Sequence, residues 1–467
     1  MSDSIIMDLD PQSSAKSTFK PTRSKLSRRG PKFELKMKVQ ILSRKFVKPA
    51  TPTPPHLRSL KVSSIDQLQP PIHAAFILYY LANGDENGDH RSKRLEKSLS
   101  EILTLYYPVA GRYIRDKQMI DCNDEGVEFL EAQVSGQLAQ LIQGEKLEEL
   151  NHLLPRPIQS TSTPVALVQV NMFECGGLAM VLLISHNIAD GIAATSFLNA
   201  WAKACRAEGI NGVVQPRFDL ASYFPPRENV PAMQPMKFGV PIITRRFVFN
   251  GAAISSLKQI AKGGDSDSES LSKHQPSRVV VVTAFLWKVL IAVSKARRGN
   301  LRPSILFHSL NLRGRTALPI SDDSFGNLYM VANARFGGDS DSKVELHELV
   351  GSLQSSIRDA LDDCMKPQNG DDLVSMVTNS MRNLQEELQS GEIDIYKFTS
   401  WCRFPLFEVD FGWGKPIWVS NQPKVVEMVS LTDTKDGDGI EAWVGLDEKN
   451  MSLFQNHPEV KAFTSKF

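Results

Sequence analysis

Apolar positions along the chain switch repeatedly between a period of two and a period near 3.6, which predicts a mixed α/β fold. Residues 72–81 form an apolar stretch with β-branched and aromatic residues and read as a strand. Over 92–106, Leu95, Leu99, Ile102, Leu103 and Tyr106 fall at helical spacing, and Pro108 and Gly111 end the helix. Residues 165–173 place Val168, Val170 and Met172 on one face and Gln169 and Asn171 on the other, the pattern of a half-buried strand. Gly176 and Gly177 turn the chain, and 178–184 follows as a strand apolar on both faces. His186 falls at the end of that buried arm. A helix over about 194–206 then buries Phe197, Leu198, Trp201 and Cys205.

Between 225 and 241 the chain carries Pro225, Pro226, Pro231, Pro235 and Pro241 and little periodicity, so this is the best linker. It divides a domain at 37–224 from one at 242–467. Beyond it the alternation resumes. Strands are expected at 246–249 and 305–311 and around Phe407, Ile417 and Ala442. Helices are expected at 285–298, 346–361 and 373–388, and a loop at 263–277. Near the start, 38–46 alternates loosely like an edge strand, and Pro49, Pro52, Pro54 and Pro55 then keep the chain extended.

Composition adds limits. The 467 residues exceed what one core usually supports. With 42% hydrophobic and 23% charged residues, a wholly disordered, collagen-like or disulfide-stapled chain is excluded. Lys plus Arg is 54 against 52 acids, a net +2, which gives no global field for nucleic acid or anionic lipid. No uninterrupted apolar run approaches the roughly 18 residues that a membrane-spanning helix needs, and the run at 178–184 is seven residues long. Cys122, Cys175, Cys205, Cys364 and Cys402 are odd in number and lack metal-ligand spacing, which suits reduced thiols in a cytoplasmic protein with no metal site. Residues 1–36 differ from the rest. Nine Lys or Arg and one acid over 11–38 read as a disordered basic arm, with a plastid transit peptide as the alternative. Asp3, Asp8 and Asp10 speak against the transit peptide.

Three places carry candidate chemistry. In His186-Asn187-Ile188-Ala189-Asp190-Gly191, a histidine stands where a buried strand meets a glycine-containing loop. A neutral imidazole there can take a proton near pH 7, and Asp190 can orient it or hold the loop. The same pattern also fits a hydrogen-bonded core histidine. Asp410-Phe411-Gly412-Trp413-Gly414 is a tight turn around one large ring, in which the aspartate caps backbone N–H groups. Asn311-Leu312-Arg313-Gly314-Arg315 offers arginines for a phosphate, a buried aspartate or the surface, and Ser324-Phe325-Gly326-Asn327 follows it. There is no G-x-S-x-G elbow, P-loop or dinucleotide fingerprint.

Together these pieces resemble the plant BAHD acyltransferases. His186 to Gly191 is similar to the family's H-x-x-x-D-G motif, and Asp410 to Gly414 matches its D-F-G-W-G signature in full. Tyr107 to Arg112, Val168 to Asn171, Asn311 to Arg313, Ser324 to Asn327 and Gly437 to Trp443 match as supporting segments. Lys48-Pro49, Pro52 to Pro55, Ser400 to Arg403 and Asp410 to Trp418 bring the resemblance closest to the branch with vinorine synthase, salutaridinol acetyltransferase and deacetylvindoline acetyltransferase. The resemblance implies two α/β domains like those of chloramphenicol acetyltransferase, each a mixed sheet with helices, joined by a long crossover linker with a channel between them. It implies a monomer with no bound cofactor. Acetyl-CoA would be the donor substrate and a small alcohol, an alkaloid or another plant specialised metabolite, the acceptor. His186 becomes the general base and Asp190 an anchor paired with Arg313. Ser324, Gly326, Asn327 and the Asp410, Phe411, Gly412, Trp413, Gly414 turn become structural or CoA-site support. A longer or aromatic acyl donor, an amine acceptor, or a catalytically silent CoA-binding relative are the alternatives.

Overall fold

The computed structural model describes residues 37–82, 88–144, 147–156, 163–207, 209–228, 240–262, 275–338, 343–389 and 393–465. The basic arm at 1–36 and the greater part of both the expected linker and the 263–277 loop lie outside the described residues.

In the first half the strands are β1 (Val39–Val47), β2 (Ser59–Lys61), β3 (His73–Tyr80), β4 (Arg112–Ile114), β5 (Met119–Asp121), β6 (Val127–Val134), β7 (Thr163–Pro164), β8 (Ala166–Phe173) and β9 (Leu178–Ser185). In the second half they are β10 (Ile242–Phe249), β11 (Ser304–Asn311), β12 (Tyr329–Phe336), β13 (Asp394–Ser400), β14 (Trp418–Ser420), β15 (Met428–Asp433) and β16 (Ile440–Asp447). The helices include α1 (Ser64–Gln67), α2 (Gly88–Ile102), α3 (Leu138–Gln143), α4 (Gly191–Ala207), α5 (Leu220–Tyr223), α6 (Gly251–Ile260), α7 (Arg278–Arg298), α8 (Leu346–Cys364) and α9 (Gly370–Gln389). They build two mixed six-stranded sheets, in the orders β1-β6-β8-β9-β3-β14 and β10-β16-β15-β13-β11-β12, and a small sheet β2-β5-β4-β7.

In the first sheet, β8 and β9 are buried along their whole length because both faces are covered. On one side Leu95, Leu99 and Ile102 of α2 and Phe197, Leu198 and Trp201 of α4 pack on it. On the other lie Leu138, Leu141, Leu147, Leu150 and Leu153. Gln169 and Asn171 are therefore not on a solvated face, contrary to the alternation in the sequence. Gln169 donates to Asn171 at 2.8 Å, and Asn171 donates to the carbonyls of Leu153 and Ala179. Two buried amides, joined by one hydrogen bond and tied to backbone carbonyls, look like a polar face in sequence.

The second sheet packs on α7 and α8. By length and composition α7 is apolar enough to cross a membrane, which the run count missed because Thr283 and Lys288 interrupt it. Here twelve of its residues are buried in the core of the second half. On β11, His308 is buried between Leu306 and Leu310, and its Nδ1 has no partner among the described residues. Burial pushes its imidazole from the ordinary 6.5 down to about 4. Between those values the unfolded chain binds a proton that the folded one refuses, so this residue makes stability fall as pH drops from 6.5 to about 4. His308→Leu should flatten that part of the profile, measured as urea midpoint against pH. An unchanged slope would show that the residue does not titrate this way.

The expected domain at 242–467 is not one spatial block. Residues 401–420 leave the second sheet and pack on the first. Trp401 stacks on Phe76 at 4.5 Å. Leu406, Val409, Phe411, Trp413 and Val419 join the core of the first half. β14 pairs with β3 in antiparallel register, Trp418 against Tyr79. Tyr79, Trp418 and Trp443 stack in sequence at 4.7 and 5.7 Å, with the Arg246 guanidinium 4.5 Å from the Trp418 ring. Such ring pairs add about 0.5–1.5 kcal/mol each beyond their buried area. A proline-rich boundary marks where the chain crosses over, and it carries no information about a strand that returns later. Around Phe407 the expected strand is instead a turn of 3-10 helix, Pro405–Glu408, because Pro405 sits at its first position and cannot donate to a ladder.

Candidate active site

β9 ends at Ser185 and His186 follows it directly. The backbone N–H of His186 donates to Ile72 O at 2.8 Å, and its carbonyl accepts from Asn327 Nδ2 at 2.7 Å. The main chain is thus held from both sides while the imidazole stays partly exposed. Nδ1 is buried with no partner among the described residues, which leaves Nε2 as the ring nitrogen that can meet a substrate. Tyr329, the first residue of β12, places its ring centroid 6.2 Å from the imidazole. Burial pushes the Tyr329 hydroxyl well above its ordinary pKa, so it acts as a neutral donor, and it donates to Gln69 Oε1. The imidazole therefore stands where the end of β9 in the first sheet meets the edge strand of the second.

Asp190 caps α4, which begins three residues earlier than the spacing of apolar residues suggests. Its Oδ1 accepts from Ala193 N at 2.9 Å. Its Oδ2 accepts from Arg313 Nη1 at 2.7 Å and from Leu328 N at 3.0 Å. Both carboxylate oxygens are engaged away from the imidazole. Arg313 also donates to the carbonyls of Ser324 and Gly326, at 3.2 and 2.9 Å, and to Asn311 Oδ1 at 3.2 Å. The ion pair is buried, with Arg313 4% and Asp190 8% exposed. Ser324 Oγ donates to Asp219 Oδ1 at 2.7 Å.

Gly326 has φ +145°, and a Cβ there would come within 2.5 Å of Leu220 Cδ1. Only glycine lets the loop run between Arg313 and α5. Gly326→Ala should destabilise by about 1–3 kcal/mol through backbone strain and close contact, read as a lower urea midpoint.

The Asp410 turn lies elsewhere. Asp410 Oδ1 accepts from Gly412 N at 2.7 Å and Gly414 N at 3.0 Å, and its carbonyl accepts from Arg206 of α4. Arg94 of α2 donates to Phe411 O at 3.1 Å and lies 5.3 Å from the Trp413 ring centroid. Phe411 meets Trp201 edge-on at 5.1 Å. Gly412, at φ +106°, leaves room for Arg94, whose Nη2 would be 2.5 Å from a Cβ. None of these contacts reaches the His186 cluster. The turn pins the crossing segment to α2 and α4.

Sequence reasoning missed Asp66, Gln69 and Tyr329 around the histidine, and Arg94 and Arg206 behind the turn. Asp66 had a signal: Ser63-x-x-Asp66 forms a capping box on α1. The arginines had none, since a lone basic residue on a helix face reads as solvated. Among the described residues no group of three or more His, Cys, Asp or Glu side chains could hold a metal ion.

Comparison with known proteins bears on this geometry. The Transferase family profile matches residues 37–461. The chain is 39% identical over 442 residues to an acetyl-CoA-benzylalcohol acetyltransferase of Clarkia breweri, covering 92% of this chain and 100% of that one. It is 36% identical over 431 residues to stemmadenine O-acetyltransferase of Catharanthus roseus, covering 90% and 96%. The crystal structure of vinorine synthase has the same fold, with a TM-score of 0.78 at 33% identity over 92% of this chain and 99% of that one. With both motifs, the paired sheets and near full-length similarity in place, this chain belongs to the Transferase family, the BAHD acyltransferases.

Proposed function

We propose that this chain is an acetyl-CoA-dependent O-acetyltransferase that acylates a hydroxyl of a plant specialised metabolite, an alkaloid or a related small alcohol. The observation that carries this reading is the partly exposed His186 ring, anchored through its backbone at the junction of the two sheets. The similarity to acetyl-CoA-using relatives adds the substrate class.

In this reading donor and acceptor meet at His186, at the junction of the two sheets. An alcohol is a weak nucleophile at pH 7. His186 Nε2 takes the hydroxyl proton as the oxygen attacks the thioester carbonyl, which lowers the barrier by the equivalent of about 10²–10⁴-fold in rate. The new C–O bond forms and a tetrahedral oxyanion results. Its collapse breaks the C–S bond, and protonated His186 returns the proton to the departing CoA sulfur. Asp190 and Arg313 act as scaffold, because the Asp190 oxygens and the Arg313 Nη groups are engaged with one another, with Ala193 N–H, with Asn311 and with the 324–328 backbone. Direct transfer is favoured over an acyl-enzyme on Cys122, Cys402 or Cys364. Burial pushes the thiols of Cys122 and Cys402 up to about 12 and that of Cys364 up to about 11, which disfavours a thiolate at these three near pH 7. The odd number and wide scatter of the five cysteines fit a reducing compartment such as the cytoplasm.

The test is product analysis by mass spectrometry. Purified protein is given acetyl-CoA or longer and aromatic acyl-CoAs, each against panels of alcohols and amines. O-acetyl esters should dominate. Amides, or turnover only with larger donors, would replace this reading with its relatives in the same family. CoA binding without any product would make the chain a silent one.

A further inference from the structure

One buried carboxylate near the site has no part in the mechanism above. Asp66 sits in the single turn of α1 and is 5% exposed. Its Oδ2 accepts from Ser63 N at 2.9 Å and Ser63 Oγ at 2.7 Å. Its Oδ1 accepts from Asn327 N and from Asn327 Nδ2, both at 2.8 Å. A buried carboxylate is costly unless donors surround it, and Asp66 has four. Capping α1 needs only one of its oxygens. The second is committed entirely to Asn327.

That commitment has a direction. Asn327 Nδ2 has two hydrogens, one for Asp66 Oδ1 and one for His186 O at 2.7 Å. Its Oδ1 has no partner among the described residues. A flipped amide would press its oxygen against a carboxylate and a carbonyl. Asp66 thus fixes which atom of Asn327 faces the histidine backbone. Three segments far apart in sequence, at 66, 186 and 327, are joined through one amide group. The neighbouring Leu328 N–H binds Asp190, so the same short loop is tied to both motif residues.

We propose that Asp66 is a positioning residue for the acyl transfer: acting through the Asn327 amide, it holds the His186 backbone, and so the imidazole, at the place where proton transfer occurs. This rests on the reading of His186 as the general base. Displacing a catalytic group by about 1 Å can cost on the order of 10²-fold in rate, so a second-layer contact of this kind is expected to act on kcat.

Steady-state kinetics of the full chain, normalised to the fraction competent to bind CoA by calorimetry, test it. Asn327→Ala should lower kcat by about 10–100-fold with the KM for acetyl-CoA changed less than about twofold. Asp66→Ala should lower kcat in the same way, and the double variant should be no slower than Asn327→Ala, because both act through one contact. The exchange Asp66→Asn with Asn327→Asp separates positioning from folding. It re-forms a donor–acceptor pair between 66 and 327 but leaves no donor for His186 O. Its unfolding midpoint should exceed that of Asn327→Asp alone while kcat stays low. Recovery of kcat together with the midpoint, or a kcat loss in Asn327→Ala that vanishes on normalisation, would overturn the proposal. His186→Ala runs alongside. If it keeps near-full activity, the general-base reading fails. If it is inactive while Asn327→Ala keeps its kcat, only the positioning role fails.

Discussion

Replacing His186 by Ala is expected to lower kcat by about 10²–10⁴-fold while the protein stays folded and still binds CoA. The structure explains why the loss should be so selective. The contacts that hold this residue use its backbone N–H and C=O, with Ile72 and Asn327, and an alanine keeps both. The ring is partly exposed and its buried Nδ1 makes no hydrogen bond, so truncation leaves no donor orphaned that was satisfied before. Calorimetry should therefore show CoA binding within a few-fold of the parent, and the urea midpoint should barely move. Near-parental turnover in the variant would remove the imidazole from the chemistry.

The second large effect is expected at Arg313. Arg313→Met strips a cation from a buried pair and leaves the Asp190 carboxylate with only the N–H groups of Ala193 and Leu328. Removing one partner of such a pair costs about 3–5 kcal/mol, far more than an exposed ion pair is worth. The carbonyls of Ser324 and Gly326 lose their donor as well, so the 324–328 loop should loosen and turnover should fall with stability. Asp190→Asn removes the charge but can still cap α4, and should cost less. Combining the two should cost less than the sum of the single changes, because the second removes the stranded charge left by the first. Strict additivity in urea denaturation would mean that the two side chains are not coupled as the 2.7 Å contact indicates.

Much of this architecture is legible in the chain itself, for reasons that particular residues make plain. β9 and the later part of α7, from 285 to 298, are found because their apolar positions are continuous or helically spaced, while the Val279–Val282 run that opens α7 carries no helical period. The histidine loop is found because a long buried strand must end somewhere, and His186 marks that end. The pairing of Asp190 with Arg313 came from family resemblance, since no spacing connects residues 123 apart. What stayed hidden shares one cause. Gln169 and Asn171 look solvated because local pattern cannot show that two amides are buried inside a sheet and bonded to each other and to the carbonyls of Leu153 and Ala179. Asp66 reads only as a helix cap, because its second oxygen is used by a residue 261 positions away. The crossing of 401–420 onto the first sheet was hidden for the same reason: strand partners are chosen by tertiary fit, and the linker prolines record only the first crossing.

That crossing also bears on how the chain is made. Tyr79 waits for a partner, Ser420, that is translated 341 residues later. At roughly 5–20 residues per second the nascent first half spends on the order of tens of seconds with the outer edge of β3 bare. An apolar strand with an open ladder is a template for aggregation. A gene cut at the linker would yield a first half that holds this edge open permanently, and co-expression of the two pieces should rescue solubility only when the second includes Trp418–Ser420.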